Sequence, residues 1–216
     1  MLRALGLSLV LLTMTATAAD ADAVVVYGDL QGGGMYGKAT GGDAAVQDQA
    51  FFANVPNALW GLSVSGRFLF LGGTIQHQQF VGNGDLATWT QLTAGLDFAV
   101  DLGGDTPSAA PSDKDKKKER KGAYVHLTAG GGFGVGTGQQ VDPPLDNAQI
   151  DDKAFLLQGS LGIGKHLGSF LDVGLSVPVT YGYFFKNGVP ANDLSNHYQG
   201  IHVEALAYLR LYIKLL

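Results

Sequence analysis

The chain has no cysteine, 7 prolines in 216 residues and only 15% charged side chains. Without cysteine there is no disulfide framework, no thiolate metal site and no cysteine-borne lipid anchor. Charge this sparse is well below the usual share, and a formal net of −5 argues against a nucleic-acid partner. Beyond the N-terminus no apolar run reaches the ~20 residues of a membrane-spanning helix. What the chain has in excess is glycine, 32 residues, about twice the usual share. Those glycines lack the every-third spacing of collagen.

The first residues, MLRALGLSLVLLTMTATAADA, form a pattern of their own. Arg3 supplies a positive start, Ala4 to Met14 a short apolar core, and Ala16-Thr17-Ala18 a small-residue cleavage site. We expect a signal peptide over 1–19 and a mature barrel over 20–216. An exported chain without a spanning helix, yet with apolar residues to spare, points to a membrane β-barrel.

The stretch GGGFGVGTG, Gly130 to Gly138, could be mistaken for a phosphate-binding loop. Such a loop needs an irregular turn leading into a helix, with a lysine and hydroxyl or a later acidic partner. Here Gln139-Gln140-Val141-Asp142-Pro143-Pro144 follows, which starts no such helix. The period is two instead. Ala123, Val125, Leu127, Ala129, Gly131, Phe133 and Val135 alternate with Tyr124, His126, Thr128, Gly130, Gly132, Gly134 and Gly136. The glycines therefore fill one face of a strand, and no nucleotide or other cofactor is implied.

The same alternation recurs along the chain. Leu171 through Phe185 gives an unbroken apolar face at odd positions, and Ile201 through Ile213 another. We expect eight strands, near 22–36, 52–64, 67–80, 87–101, 122–137, 154–167, 169–185 and 200–215, in an all-β, antiparallel up-and-down transmembrane barrel. Within Phe51–Val81 the expected turn is Ser65-Gly66, because a turn at Gly72-Gly73 would leave TIQHQQF as a strand without an adequate apolar face. Apolar odd positions would face lipid, and the alternate face would fill a narrow interior. A soluble lipocalin-like barrel would turn the same faces the other way. Glycine with opposed charges on one face, and Tyr181, Tyr183 and Phe185 gathered like an interfacial girdle, favour the membrane.

With the N- and C-termini in the periplasm, the long connections would face outward and the inner turns would be short. One inner connection breaks the rule: the polar segment 102–122, whose core Asp113–Lys121 carries six basic and three acidic residues. Such composition reads first as a solvated insertion. Lys114, Lys116, Lys117, Lys118, Arg120 and Lys121 are the candidates for docking an acidic periplasmic protein or the cell wall.

The signal sequence, the alternating strands, the long outer loops and the strand-like C-terminus AYLRLYIKLL together resemble the small eight-stranded outer-membrane barrels of the OmpA/OmpX type. The resemblance is architectural. It implies the outer membrane of a Gram-negative bacterium, contact with outer-membrane lipid and lipopolysaccharide, and insertion by the outer-membrane assembly machinery.

Site candidates follow from the inward face. Asp97, His126, Asp172, Glu204, Arg210 and Lys214 are charged or titratable residues expected in the lumen, where ions must pair or pay several kcal/mol each in lost solvation. An Arg210-centred salt-bridge plug is the expected arrangement. The stretch LSNHYQGIHVE offers Ser195, His197, His202 and Glu204 as an alternative lipid A-modifying constellation, but Ser195 and His197 fall in loop without a fixed partner. A narrow channel is the other alternative. The leading expectation is a non-enzymatic structural, anchoring or envelope-complex component without metal.

Overall fold

The computed structural model describes residues 24–41, 57–82, 85–102, 121–139, 149–186 and 197–215. The expected signal peptide, the polar connection over 103–120 and Ser195 lie outside them.

Eight antiparallel strands account for almost all of what is described: β1 (Val24–Thr40), β2 (Asn57–Phe68), β3 (Leu71–Gly82), β4 (Asp85–Leu102), β5 (Lys121–Gln139), β6 (Gln149–Leu167), β7 (Leu171–Lys186) and β8 (His197–Lys214). Each pairs with its sequence neighbour, and β1 closes on β8 from Val25↔Lys214 to Thr40↔Gln199. Closure removes both sheet edges, so backbone donors and acceptors are satisfied without water.

The period-two pattern decides which face points where. Along β8 burial alternates strictly: Glu204, Leu206, Tyr208, Arg210 and Tyr212 are buried, while Val203, Ala205, Ala207, Leu209 and Leu211 are exposed. The outer surface is correspondingly apolar: Leu62, Ile75, Leu92, Leu157, Leu175 and Leu211 are each more than half exposed. Polar and aromatic groups lie inside. This is a membrane barrel's arrangement and the reverse of a soluble one.

The hairpin of β2 and β3 corrects the expected turn. Ser65 and Gly66 sit inside β2, with Ser65 opposite Thr74 and their hydroxyls 2.8 Å apart. The chain turns at Leu69-Phe70, with Leu69 at φ 56°. TIQHQQF lies in a strand, as expected, but one that begins only at Leu71. Its inward glutamines, Gln76 and Gln78, find partners across the lumen, a compensation no apolar count along one segment reveals. Other boundaries move less. The second inner turn spans Gly168–Phe170, longer than the single residue between the expected strands 154–167 and 169–185, the polar connection narrows to 103–120, and β6 begins at Gln149 rather than 154, taking in Asp151 and Asp152.

Two local features shape the wall. Pro178, inside β7, cannot donate to a ladder. The register of β7 with β8 runs to Ser176↔Leu206 and resumes only at Val179↔Val203. On β5 the glycine stripe makes room: a Cβ on Gly134 would lie 2.1 Å from the Trp89 ring, and one on Gly136 2.7 Å from it. Within the GGGFGVGTG stretch the glycines form a slot for an indole.

Candidate functional site in the barrel interior

The interior is layered. At the end carrying the short turns and the two terminal strands, the side chains form an ionic floor. Arg210 on β8 donates through Nε and a terminal nitrogen to the two oxygens of Asp29 on β1, at 2.7 and 2.8 Å. This bidentate geometry is the strongest form of the pair. The guanidinium also lies 4.0 Å from the Tyr27 ring centre and 4.9 Å from that of Tyr208, so cation–π attraction adds to the pair.

Two carboxylates form neighbouring clusters. Asp97 accepts from the Tyr27 hydroxyl at 2.6 Å, lies 2.8 Å from His126 Nε2, and has Arg67 at 3.6 Å. Asp172 lies 2.7 Å from His166 Nδ1, whose Nε2 is 3.1 Å from Asp101. Carboxylates only accept, so each ring nitrogen of His166 faces an acceptor. Tyr124 stacks on His166 with 4.6 Å between centroids, and its hydroxyl meets that of Tyr208 at 3.0 Å.

Above the floor the polarity becomes neutral. Trp89 Nε1 donates to Gln91, Gln91 to Gln76, Gln76 to Gln31 and Gln31 to Ser63, in links of 2.7–2.9 Å. This chain crosses four strands, and each amide both gives and receives. Beside it a cavity of about 40 Å³ is lined by Thr74, Thr93, Asp97, Thr128 and Gln158, room for a few water molecules.

Toward the long connections the interior turns apolar. Leu59, Phe80, Trp89, Leu156, Phe184 and Tyr198 are buried together with Met35 and Leu206. Phe184 stacks on Tyr198 at 4.7 Å and tilts against Trp89 at 5.8 Å. Embedded at this level, Gln78 donates to Glu204 at 2.7 Å, and His202 lies 3.4 Å from Glu204.

Of the sequence candidates, Asp97 and His126 meet directly. Asp172 and Arg210 are opposite each other in register, yet they take different hydrogen-bond partners. Glu204 belongs to the upper cluster, away from the floor. Lys214 keeps the inward parity but is exposed at the barrel's end. Lys121 opens β5, and Lys114, Lys116, Lys117, Lys118 and Arg120 lie outside the described residues.

The sequence reading of the site passed over His166, Arg67 and the tyrosines. Continuing the β6 alternation from Gly164 to His166 would have found the first. The glutamine chain gave no such signal, since its members come from four separated segments. His202 and Glu204, candidates for lipid chemistry, are each 1% exposed and point into the lumen. Among the described residues no three His, Asp or Glu side chains are grouped to hold a metal.

No family model and no curated protein matches the chain. Among solved structures, Neisserial surface protein A superposes with a TM-score of 0.47 and 13% identity, over 89% of this chain and 97% of that one. Ail, the attachment invasion locus protein of Yersinia pestis, gives 0.32 and 10%, over 85% and 97%.

Proposed function

We propose that the chain is a non-enzymatic integral outer-membrane barrel that anchors or presents its connections at the envelope surface, its lumen filled by its own side chains. The observation that carries this reading is the pairing of an apolar outer belt with an interior of matched ions, linked amides and stacked rings. Eight strands leave an interior that side chains just fill. The termini belong on the periplasmic side in this reading, because short turns and termini share one end.

The two tryptophans test it directly. Trp60 is 48% exposed on the outer wall and Trp89 is 1% exposed inside. In vesicles whose acyl chains carry bromine, emission from the Trp89→Phe protein should be strongly quenched, and emission from Trp60→Phe should not. Planar bilayers should record no conductance steps; regular steps would favour the narrow channel instead. Burial of His202 and Glu204 on the lumen side keeps them from an acyl ester outside, which supports the non-enzymatic reading. A lipid A deacylation that Ser195→Ala abolishes would overturn it.

The basic segment within 103–122 supports a second, separable role in holding an acidic periplasmic partner or the cell wall. Deleting 106–121 should then remove periplasmic components from a pull-down while the barrel inserts normally. Unchanged partners would leave the segment as a solvated insertion.

A further inference from the structure

The outer wall is not uniform around the barrel. At the level where β1, β6 and β7 present Tyr36, Phe155 and Tyr181 to the outside, β3 and β4 present polar groups. His77 and Thr90 face each other outward with Nδ1 and Oγ1 2.8 Å apart. Gln79 pairs in register with Thr88, whose hydroxyl is 2.9 Å from that of Thr137 on β5. These residues form a continuous polar strip running from the rim, near the end of β5, down into the apolar belt. Ile75 lies below it on β3 and Leu92 on β4, both 57–58% exposed. The indole of Trp60, opposite Gln79 in the β2–β3 register, borders it.

We propose that this strip is a lipid-headgroup site, where the polar head of a membrane lipid docks against β3 and β4 at the level that other strands fill with apolar and aromatic side chains. The inference rests on the membrane-barrel reading. The chemistry selects a headgroup: the strip offers hydroxyl, amide and imidazole groups with no fixed charge, suited to hydroxyl and phosphate-ester oxygens. Trp60 supplies the amphipathic ring that favours the interface. Surrounding these groups with hydrocarbon would strip the Gln79 amide of its hydrogen bonds. A docked headgroup keeps them. The strip's opening to the rim at Thr137 gives the headgroup its way in.

The absence of cysteine makes the test clean. Gln79→Cys and Leu157→Cys, each labelled with a polarity-sensitive fluorophore, would be compared in phosphatidylcholine vesicles containing headgroup-spin-labelled lipid. Leu157 is outward on β6 at a similar level and 64% exposed. The proposal expects a red-shifted label at position 79, quenched several-fold more by the headgroup spin than the label at 157. Replacing His77 and Thr90 by leucine and valine should shift the position-79 label toward the 157 value. Equal, hydrocarbon-like readings at both positions would overturn the headgroup site alone. Disulfide-linked pairs of the unlabelled Gln79→Cys protein would assign the strip to a second copy. Water-exposed readings at both positions would overturn the membrane reading itself, and this site with it.

Discussion

The two ends of the lumen differ in their chemistry, ionic at one and largely apolar and aromatic at the other. Near the short turns, Asp29, Asp97 and Asp172 are buried with arginine, histidine and tyrosine partners. Near the long connections, Trp89, Phe184 and Tyr198 pack on one another. An ion pair depends on both partners, and losing one strands the other. A ring against a ring fails only by leaving a void. The floor should therefore be brittle under substitution and the upper packing compliant.

The largest break expected is Arg210→Met, which leaves Asp29 buried without its cation and should cost about 3–5 kcal/mol. Urea unfolding of the vesicle-inserted barrel, followed by tryptophan emission, reads it. Adding Asp29→Leu should return most of that loss, because the pair's net worth over an apolar filling is small. A double variant no better than the single one would refute brittleness as the difference between the two ends.

At the upper end Gly134→Val fills the slot that holds Trp89 and should cost about 1–3 kcal/mol by overpacking. Combined with Trp89→Ala, the valine should cost less than it does alone, since the ring it collides with is gone. Strict additivity in the same unfolding measurement would mean that the slot is not what Gly134 provides.

The smallest effect lies outside both compartments. Leu69 holds a positive φ of 56° in the β2–β3 turn, a conformation costing a non-glycine residue roughly 1–2 kcal/mol. Leu69→Gly should gain about 0.5–1 kcal/mol, once glycine's greater freedom in the unfolded chain is subtracted. It should do so equally in the Arg210→Met and Gly134→Val backgrounds, making it a control on both.

These contrasts also mark what the linear sequence discloses. Strand number, antiparallel order and facing were legible because a side-chain period of two survives in each segment separately, as in β7 and β8. Asp97 and His126 were legible as inward groups for the same reason. Partner choice was not. Arg210 could reach Asp172 by register, but it turns to Asp29, with which it is also in register across the β8–β1 junction. Deciding between two neighbours requires the tilt of the wall and the position of Tyr27 and Tyr208. The β2–β3 turn was misplaced on the same ground: the bonds that make Gln76 and Gln78 acceptable inside come from β1, β4 and β8. Trp89 and the glycines of β5 were each visible, but only the register Trp89↔Gly136 joins them.

A tube rolled from a single ribbon must be fastened somewhere. Here the fastening is the line where the first strand meets the last, sealed at its foot by Leu215 N donating to Val24 O at 3.0 Å. Arg210 and Asp29 stand on either side of that line, 181 residues apart in the chain. No contact between them can form early without closing nearly the whole loop of polypeptide, and that entropic toll falls due at one moment. The ion pair thus serves as a clasp, engaging when the cylinder comes round on itself. A barrel that has rolled up in the wrong register finds nothing there to latch.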